Sequence, residues 1–514
     1  MNRQTSWGWS ALGLVLGTAP LGSLSLAVER EPGSFAIGVE YMAPGLAEVY
    51  ARTGVRWAKA QSNGFTWDDI EPTPPVDGRH TYDWSYPDRL ILEYQRAGFR
   101  HIQLYVRAIN RWASSRPIQR IGGGTWPIQR RHLDDYAAFL RVFVRRYNPT
   151  HPDHVPGLQY PVEYWEIEAE WGTDFWRGTR DEYIELLRLA SQVIRSENPS
   201  AKVILMGFFL AGLFEGRPDP RDIPSTLAAM PARRRQVTER YLADIRALLA
   251  HPDLFDVVEF HSLSDWTEIC GMARFLRQTM HELGYEKPIW VGDVNCTASP
   301  MMFWHEPVPP YTAAQREAIE AALRALRNPR DPSHAEVMAW FRAEQSRGLV
   351  KKVVLAMAEG LGGINVGNLE DWPPLMLAPE IASTAGFQGM IDTEGWPRRP
   401  GTPRPAWHAL ALVVNKLGAF SCVEPMTLAP GVWAYRFEVR SRPVWVVWYD
   451  DGRRRLPGER EPFVEIVLPC SWPAVRRTAT PTQLPPSEPS VQPVQSGRVR
   501  IPVGLTPLFL EPAN

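Results

Sequence analysis

The sequence predicts an α/β fold, a (β/α)8 TIM barrel with a C-terminal β-sandwich domain. Three observations carry that prediction. Short apolar strand candidates alternate with helical patterns from residue 34 to residue 418. After about residue 419 the pattern changes to runs that alternate every second residue, as half-buried strands do. The chain has 514 residues, which suits a barrel of about 250 to 400 residues plus a small module.

Eight strands are predicted: Phe35–Met42, Val55–Gln61, His101–Ala108, Val162–Glu170, Lys202–Phe209, Asp256–Leu263, Pro288–Asn295 and Lys351–Glu359. Helices are expected over Asp88–Ala97, Leu133–Tyr147, Arg180–Glu197, Gln236–Ala250, Gly271–Gly284, Ala313–Arg327 and Ala406–Leu417. A doubly wound sheet usually carries a Gly-rich phosphate turn after its first strand; Gly38-Val39-Glu40-Tyr41-Met42-Ala43 is no such turn. Long insertions, Asn110–Arg131, Ala211–Arg235 and Gly360–Arg404, follow predicted strands three, five and eight at the face where barrels build sites. In the C-terminal part, residues 419–514, Val432–Val439, Pro443–Tyr449, Phe463–Leu468, Arg498–Val503 and Leu508–Leu510 read as strands, with Asp450-Asp451-Gly452 as a hairpin turn. The first residues after the leader can join this sandwich.

Residues 1–27 read as a signal peptide: Arg3 precedes an apolar run from Ala11, and Ser25-Leu26-Ala27 offers a small-x-small cleavage site. The expectation is a secreted or periplasmic protein, with residues 28–418 forming the barrel. No other apolar run approaches the ~18 residues of a membrane span. A net charge of −1 argues against nucleic acid as a partner. The chain has 21 Trp, whose faces suit sugar rings as well as cores. Four cysteines, Cys270, Cys296, Cys422 and Cys470, match no zinc spacing. In an exported chain they would pair locally as Cys270–Cys296 and Cys422–Cys470, or else remain buried thiols.

The chemistry lies at strand ends. The fourth strand, Trp165-Glu166-Ile167-Glu168-Ala169-Glu170, ends in a carboxylate, and the seventh carries Asp293 near its end. Glycoside hydrolysis generally needs two such carboxyl groups flanking the bond. Glu166, Glu168 and Glu170 share strand parity and are expected on one side. Three ionised carboxylates cannot be buried together, so Glu166 should lie deeper, paired or neutral. Glu168 is expected either to support Glu170 from behind, raising its pKa, or to be merely solvated. Lys59 and His261 would orient or neutralise the pair, and Trp176, Trp290 and Trp266 offer stacking walls or core. Glu40 and Glu359 would end strands one and eight, contacting substrate or pairing with Lys59. No metal site and no cofactor is expected, because His, Asp and Glu do not cluster at ligand spacing.

These segments resemble the barrel glycoside hydrolases with an acid/base on strand four and a nucleophile on strand seven. Within that clan the chain is most similar to glycoside hydrolase family 39, the β-xylosidase and α-iduronidase group. Tyr164–Glu170 stands where that family has Trp-Glu-Ile-Trp-Asn-Glu, Phe255–His261 is similar to its sixth strand, and Lys287–Asp293 resembles Lys-Pro-Ile-Trp-Val-Thr-Glu. Val444–Trp448 and Pro507–Glu511 are similar to its sandwich. The resemblance implies a carbohydrate substrate, Glu170 as acid/base, and Asp293 as nucleophile or general base. It also exposes departures: Ala169 replaces the Asn that grips the sugar 2-hydroxyl, Asp293 replaces Glu, Lys59 replaces Arg, and strand eight lacks the expected Trp. Three outcomes follow: a retaining hydrolase with carboxyls ~5 to 5.5 Å apart, an inverting one with ~6.5 to 9.5 Å, or a catalytically inactive carbohydrate-binding barrel.

Overall fold

The structure is a computed structural model that describes residues 27–513 apart from Ser62 and residues 119–123, 211–212, 217–218, 296–314, 372–384 and 395–398. Eight parallel strands close into a barrel: β1 (Ala36–Met42), β2 (Trp57–Ala60), β3 (His101–Val106), β4 (Tyr164–Trp171), β5 (Lys202–Phe208), β6 (Val257–Ser262), β7 (Ile289–Asn295) and β8 (Gly363–Gly367). Closure is explicit, since β1 pairs with β2 through Gly38 and Trp57 and with β8 through Ala36 and Gly363. Strands covered on both faces need apolar side chains outward as well as inward, which is why they read as short continuous apolar runs.

Seven strands lie where the sequence places them; the eighth does not. Lys351–Ala358 is the end of a 25-residue helix, His334–Ala358, and the strand is Gly363-Ile364-Asn365-Val366-Gly367 inside the supposed insertion. A short apolar run bounded by turn residues suits a buried helix as well as a strand. This helix is buried from Leu349 to Ala358 almost without interruption, so its sequence lacks the polar stripe that marks a surface helix. The true strand holds two glycines, which weaken its signal.

The C-terminal part forms a seven-stranded antiparallel sheet, in order Val28–Glu29, Phe420–Met426, Val432–Val439, Arg442–Tyr449, Leu508–Ala513, Ala474–Ala479 and Ser490–Pro493. A second sheet pairs Val464–Pro469 with Arg498–Val503. Ile466, Leu468, Val475, Val499 and Ile501 fill the space between them. Asp450-Asp451-Gly452 is not the hairpin turn. The hairpin is closed by Arg440 and Ser441, at φ 51° and 60°; Asp450 instead starts the connection toward the second sheet. Cys422 and Cys470 are not joined: both are thiols, Cys470 in the sandwich core. Cys296 and residues 1–26 lie outside the described residues. Among the described residues, no helix is long and apolar enough to cross a membrane.

Barrel and sandwich share one core. Trp266, just after β6, packs against Trp433 at 4.8 Å and Trp448 at 5.7 Å, and Arg454 holds Asp265 through two hydrogen bonds of 2.7 Å. Trp266 is therefore a joint, not a stacking wall.

Candidate active site

Alternation along the strands builds the barrel interior in layers. At the N-terminal end Trp57, Tyr164 and Trp290 fill the bore with Ala36, Ile204 and Val257, the Trp57 and Trp290 ring centres standing 5.2 Å apart. Two residues further along each strand the chemistry changes to Lys59, Gln103, Glu166, Glu259 and Asn365. One more step reaches Glu40, His261, Glu170 and Asp293.

Lys59, buried in this second layer, donates to Glu259 at 2.8 Å, lies 2.8 Å from Glu166, and stands 3.9 Å from Glu40. Burial alone would lower its ammonium pKa, but Glu166 and Glu259 hold it well above the ordinary lysine value. Gln103 donates to both carboxylates, at 3.1 Å to Glu166 and 2.8 Å to Glu259. Glu259 also receives His261 Nε2 at 3.3 Å, whereas Glu166 Oε1 has no hydrogen-bond partner. Glu259 is thus the anion, lowered by Lys59 and His261 against its burial, and Glu166 is raised by burial and by Glu259. Two glycines make the space. A Cβ on Gly292 would lie 1.6 Å from Glu259 Oε1, and one on Gly207 would lie 2.0 Å from His261 Nε2.

At the mouth, His261 Nδ1 lies 2.6 Å from Glu170 Oε1. Burial would lower the imidazole pKa, yet hydrogen bonds to Glu170 and Glu259 push it up to about 10, so it is an imidazolium at neutral pH. Asp293 Oδ2 accepts from the Tyr41 hydroxyl at 2.6 Å. Glu40 is raised well above the usual carboxylate range by burial and by Asp293. Glu170, His261 and Asp293 each place one oxygen or nitrogen within 4.8 Å of the others. All three are nearly buried.

The end of β4 is set by its backbone. A register shift falls between Ile167 and Glu170, and Glu168 sits at φ 64°. This bulge breaks the expected shared parity. Glu168 does not join the Glu170 cluster; its carboxylate accepts from the Ala108 amide at 2.6 Å, and Arg107 stands 3.8 Å away, so it braces the loop after β3. Beyond Glu170, Gly172 at φ 90° lets the Tyr241 ring lie against the chain, where the Tyr241 hydroxyl donates to the Trp171 carbonyl and accepts from the Phe209 amide.

No family model matches the chain, and a search of curated proteins finds no match. Solved structures do match. A glucosidase from Croceicoccus marinus superposes with a TM-score of 0.56 at 12% identity, over 95% of this chain and 98% of that one. The family 51 α-L-arabinofuranosidase from Thermotoga petrophila RKU-1 gives 0.54 at 13% identity, over 95% and 98%. A bifunctional glucanase-xylanase from a metagenome library gives 0.53 at 10%, over 95% and 97%.

The fold is that of barrel glycoside hydrolases.

In this barrel, three of the expected substrate contacts do not face the mouth. Trp290 belongs to the plug at the opposite end of the bore. Glu359 follows the helix His334–Ala358 and pairs with Arg274 at 2.6 Å on the outside of the barrel, because the strand it was to end is a helix. Trp176 is buried, its ring 5.7 Å from Tyr183 and its indole donating to the Thr179 carbonyl. Lys59 pairs with Glu166, Glu259 and Glu40 rather than with Glu170 or Asp293. The residues that sequence reading passed over are Glu259, Tyr41 and Gln103. Gly292, where the resembling family has Thr, was the available signal, since it opens the space that Glu259 fills. A metal ion has two candidate sets, Glu170–His261–Asp293 and Glu166–Glu259–His261. Both depend on His261, whose hydrogen bonds to carboxylates favour the protonated ring that cannot ligate a metal.

Proposed function

We propose that the chain is a retaining O-glycoside hydrolase acting on an oligosaccharide or glycoside. The observation that supports this most is the approach of Glu170 and Asp293, on β4 and β7 of a glycoside hydrolase barrel, to within 4.8 Å. So close an approach of one oxygen from each favours the ~5 to 5.5 Å carboxyl separation of retaining enzymes over the ~6.5 to 9.5 Å of inverting ones. Asp293, with Tyr41 donating to it, attacks the anomeric carbon as the glycosidic C–O bond breaks. Glu170, protonated from His261 along their hydrogen bond, gives that proton to the departing oxygen. In the second step the carboxylate of Glu170 takes a proton from a water, whose oxygen bonds to the anomeric carbon as Asp293 leaves, and Glu170 returns that proton to His261. The family 39 resemblance supports the same roles.

The test is hydrolysis of a panel of aryl glycosides, with the first-formed anomer read by NMR. Wild type should release the retained anomer, and Glu170→Gln and Asp293→Asn should each lose at least about a thousandfold in kcat/KM. An inverted product, or activity untouched by both substitutions, overturns the assignment. Ala169, which offers no side-chain donor to a sugar hydroxyl, favours a second reading, a barrel that binds carbohydrate without cleaving it. Wild type inert across the panel but binding oligosaccharides in calorimetry would select that reading.

A further inference from the structure

Beside the mouth lies a cavity of about 230 Å³ lined by Arg116, Pro117, Gly124, Trp126 and Arg177. The Arg116 guanidinium stands 4.6 Å from the Trp126 ring centre and that of Arg177 stands 5.6 Å from it. Several arginines elsewhere are neutralised, Arg146 by Asp88, Arg404 by Asp371 and Arg454 by Asp265. Among the described residues, neither Arg116 nor Arg177 has a carboxylate within ion-pair distance. The hydrogen bond of the Arg177 side chain goes to the Asp174 carbonyl at 3.3 Å. Trp126 therefore orients two guanidiniums through its ring without cancelling their charge. Gly124 is needed for this packing, since a Cβ there would fall 1.9 Å from the Asp174 carbonyl and 2.7 Å from Arg177 Nε.

The cavity belongs to the same face as Glu170. Thr125 donates to the Phe175 carbonyl at 2.7 Å, and the Arg177 amide donates to the Thr125 carbonyl at 2.9 Å, so the loop after β3 is stitched to the loop that leaves β4. Its volume is several times the ~30 Å³ that one water occupies in the liquid, which suits a sugar residue better than a lone ion. Guanidiniums match the planar, bidentate geometry of a carboxylate and also serve a sulfate. We infer that this cavity is a subsite for an acidic sugar residue, so that the preferred ligand is an oligosaccharide carrying carboxylate or sulfate groups. The inference rests on the carbohydrate reading proposed above.

Calorimetric titration of the full chain tests it, using a trigalacturonate, a sulfated galactotriose and neutral galactotriose. At low salt, at least one acidic trisaccharide should bind about tenfold or more tighter than the neutral one. The advantage should shrink with added salt and fall to within about threefold in the Arg116→Gln/Arg177→Gln variant, while neutral binding stays unchanged. Arg116 is exposed, so Arg116→Gln alone should keep the wild-type melting temperature and still lose part of the advantage. The carboxylate and sulfate arms identify which anion is read. Acidic ligands binding no tighter than neutral galactotriose, or an advantage that survives the double variant, overturns the subsite and leaves the carbohydrate reading standing. No binding of any oligosaccharide, in this assay and across a wider neutral panel, overturns both.

Discussion

His261 lies between Glu170, 2.6 Å from Nδ1, and Glu259, 3.3 Å from Nε2, and so ties the end of β4 to the carboxylates buried beneath it. One imidazolium serves two purposes. It compensates a buried anion, and it keeps a mobile proton against the group proposed to deliver one.

The pH dependence of stability follows from that position. The folded-state pKa of His261 is raised to about 10 from 6.5. Its contribution is therefore fully present below pH 6.5 and is lost as pH rises through 10. Thermal melting should show wild type losing stability across that window. His261→Gln should be less stable at pH 6 by a few kcal/mol at most and should show a flatter profile between pH 7 and 10. An unchanged slope would argue against a protonated His261.

Tyr41→Phe removes the hydroxyl that donates to Asp293 while keeping the ring. A hydrogen bond to a charged group is worth about 1.5 to 3 kcal/mol, so kcat/KM should fall roughly 10- to 100-fold. The melting temperature should move little, which separates this loss from unfolding.

Lys59→Met takes away the cation shared by Glu166 and Glu259. Breaking a buried pair by removing one partner costs about 3 to 5 kcal/mol. The double variant Lys59→Met/Glu259→Gln should be less destabilised than the sum of its two single variants, because it also removes the orphaned anion. Urea unfolding of the four proteins gives the coupling, and additivity would show that Lys59 and Glu259 act independently.

Gly292→Ala should be severely destabilising, since the new methyl overlaps the Glu259 carboxylate. Pairing it with Glu259→Ala should recover part of the loss, as read by melting temperature, because the clash is with that side chain.

The legible part of this fold was what repeats. Strands β1 to β7 announce themselves because each is a compact apolar run, and the helix Arg180–Glu197 appears with the boundaries its Thr179 capping box would set. The strand β8 was hidden because Gly363 and Gly367 flank three residues only, beside a helix whose apolar end carries the stronger pattern. Glu170 and Asp293 were visible as strand-end acids. Glu259 was not, because a Glu two residues before a His says nothing of the Gly292 and Lys59 that come to it from 33 and 200 positions away. The bulge at Glu168 was equally silent, since positive φ at a glutamate leaves no mark in composition.

The joint formed by Trp266, Trp433, Trp448 and the Arg454–Asp265 pair begins four residues after His261. The segment that carries the imidazolium is therefore anchored from outside the barrel, by a second layer of chain more than 150 residues downstream. Cutting the sandwich away would not yield a self-sufficient barrel. It would bare the Trp266 face and the buried Asp265, and leave the neighbour of Glu170 hanging from a loose hinge.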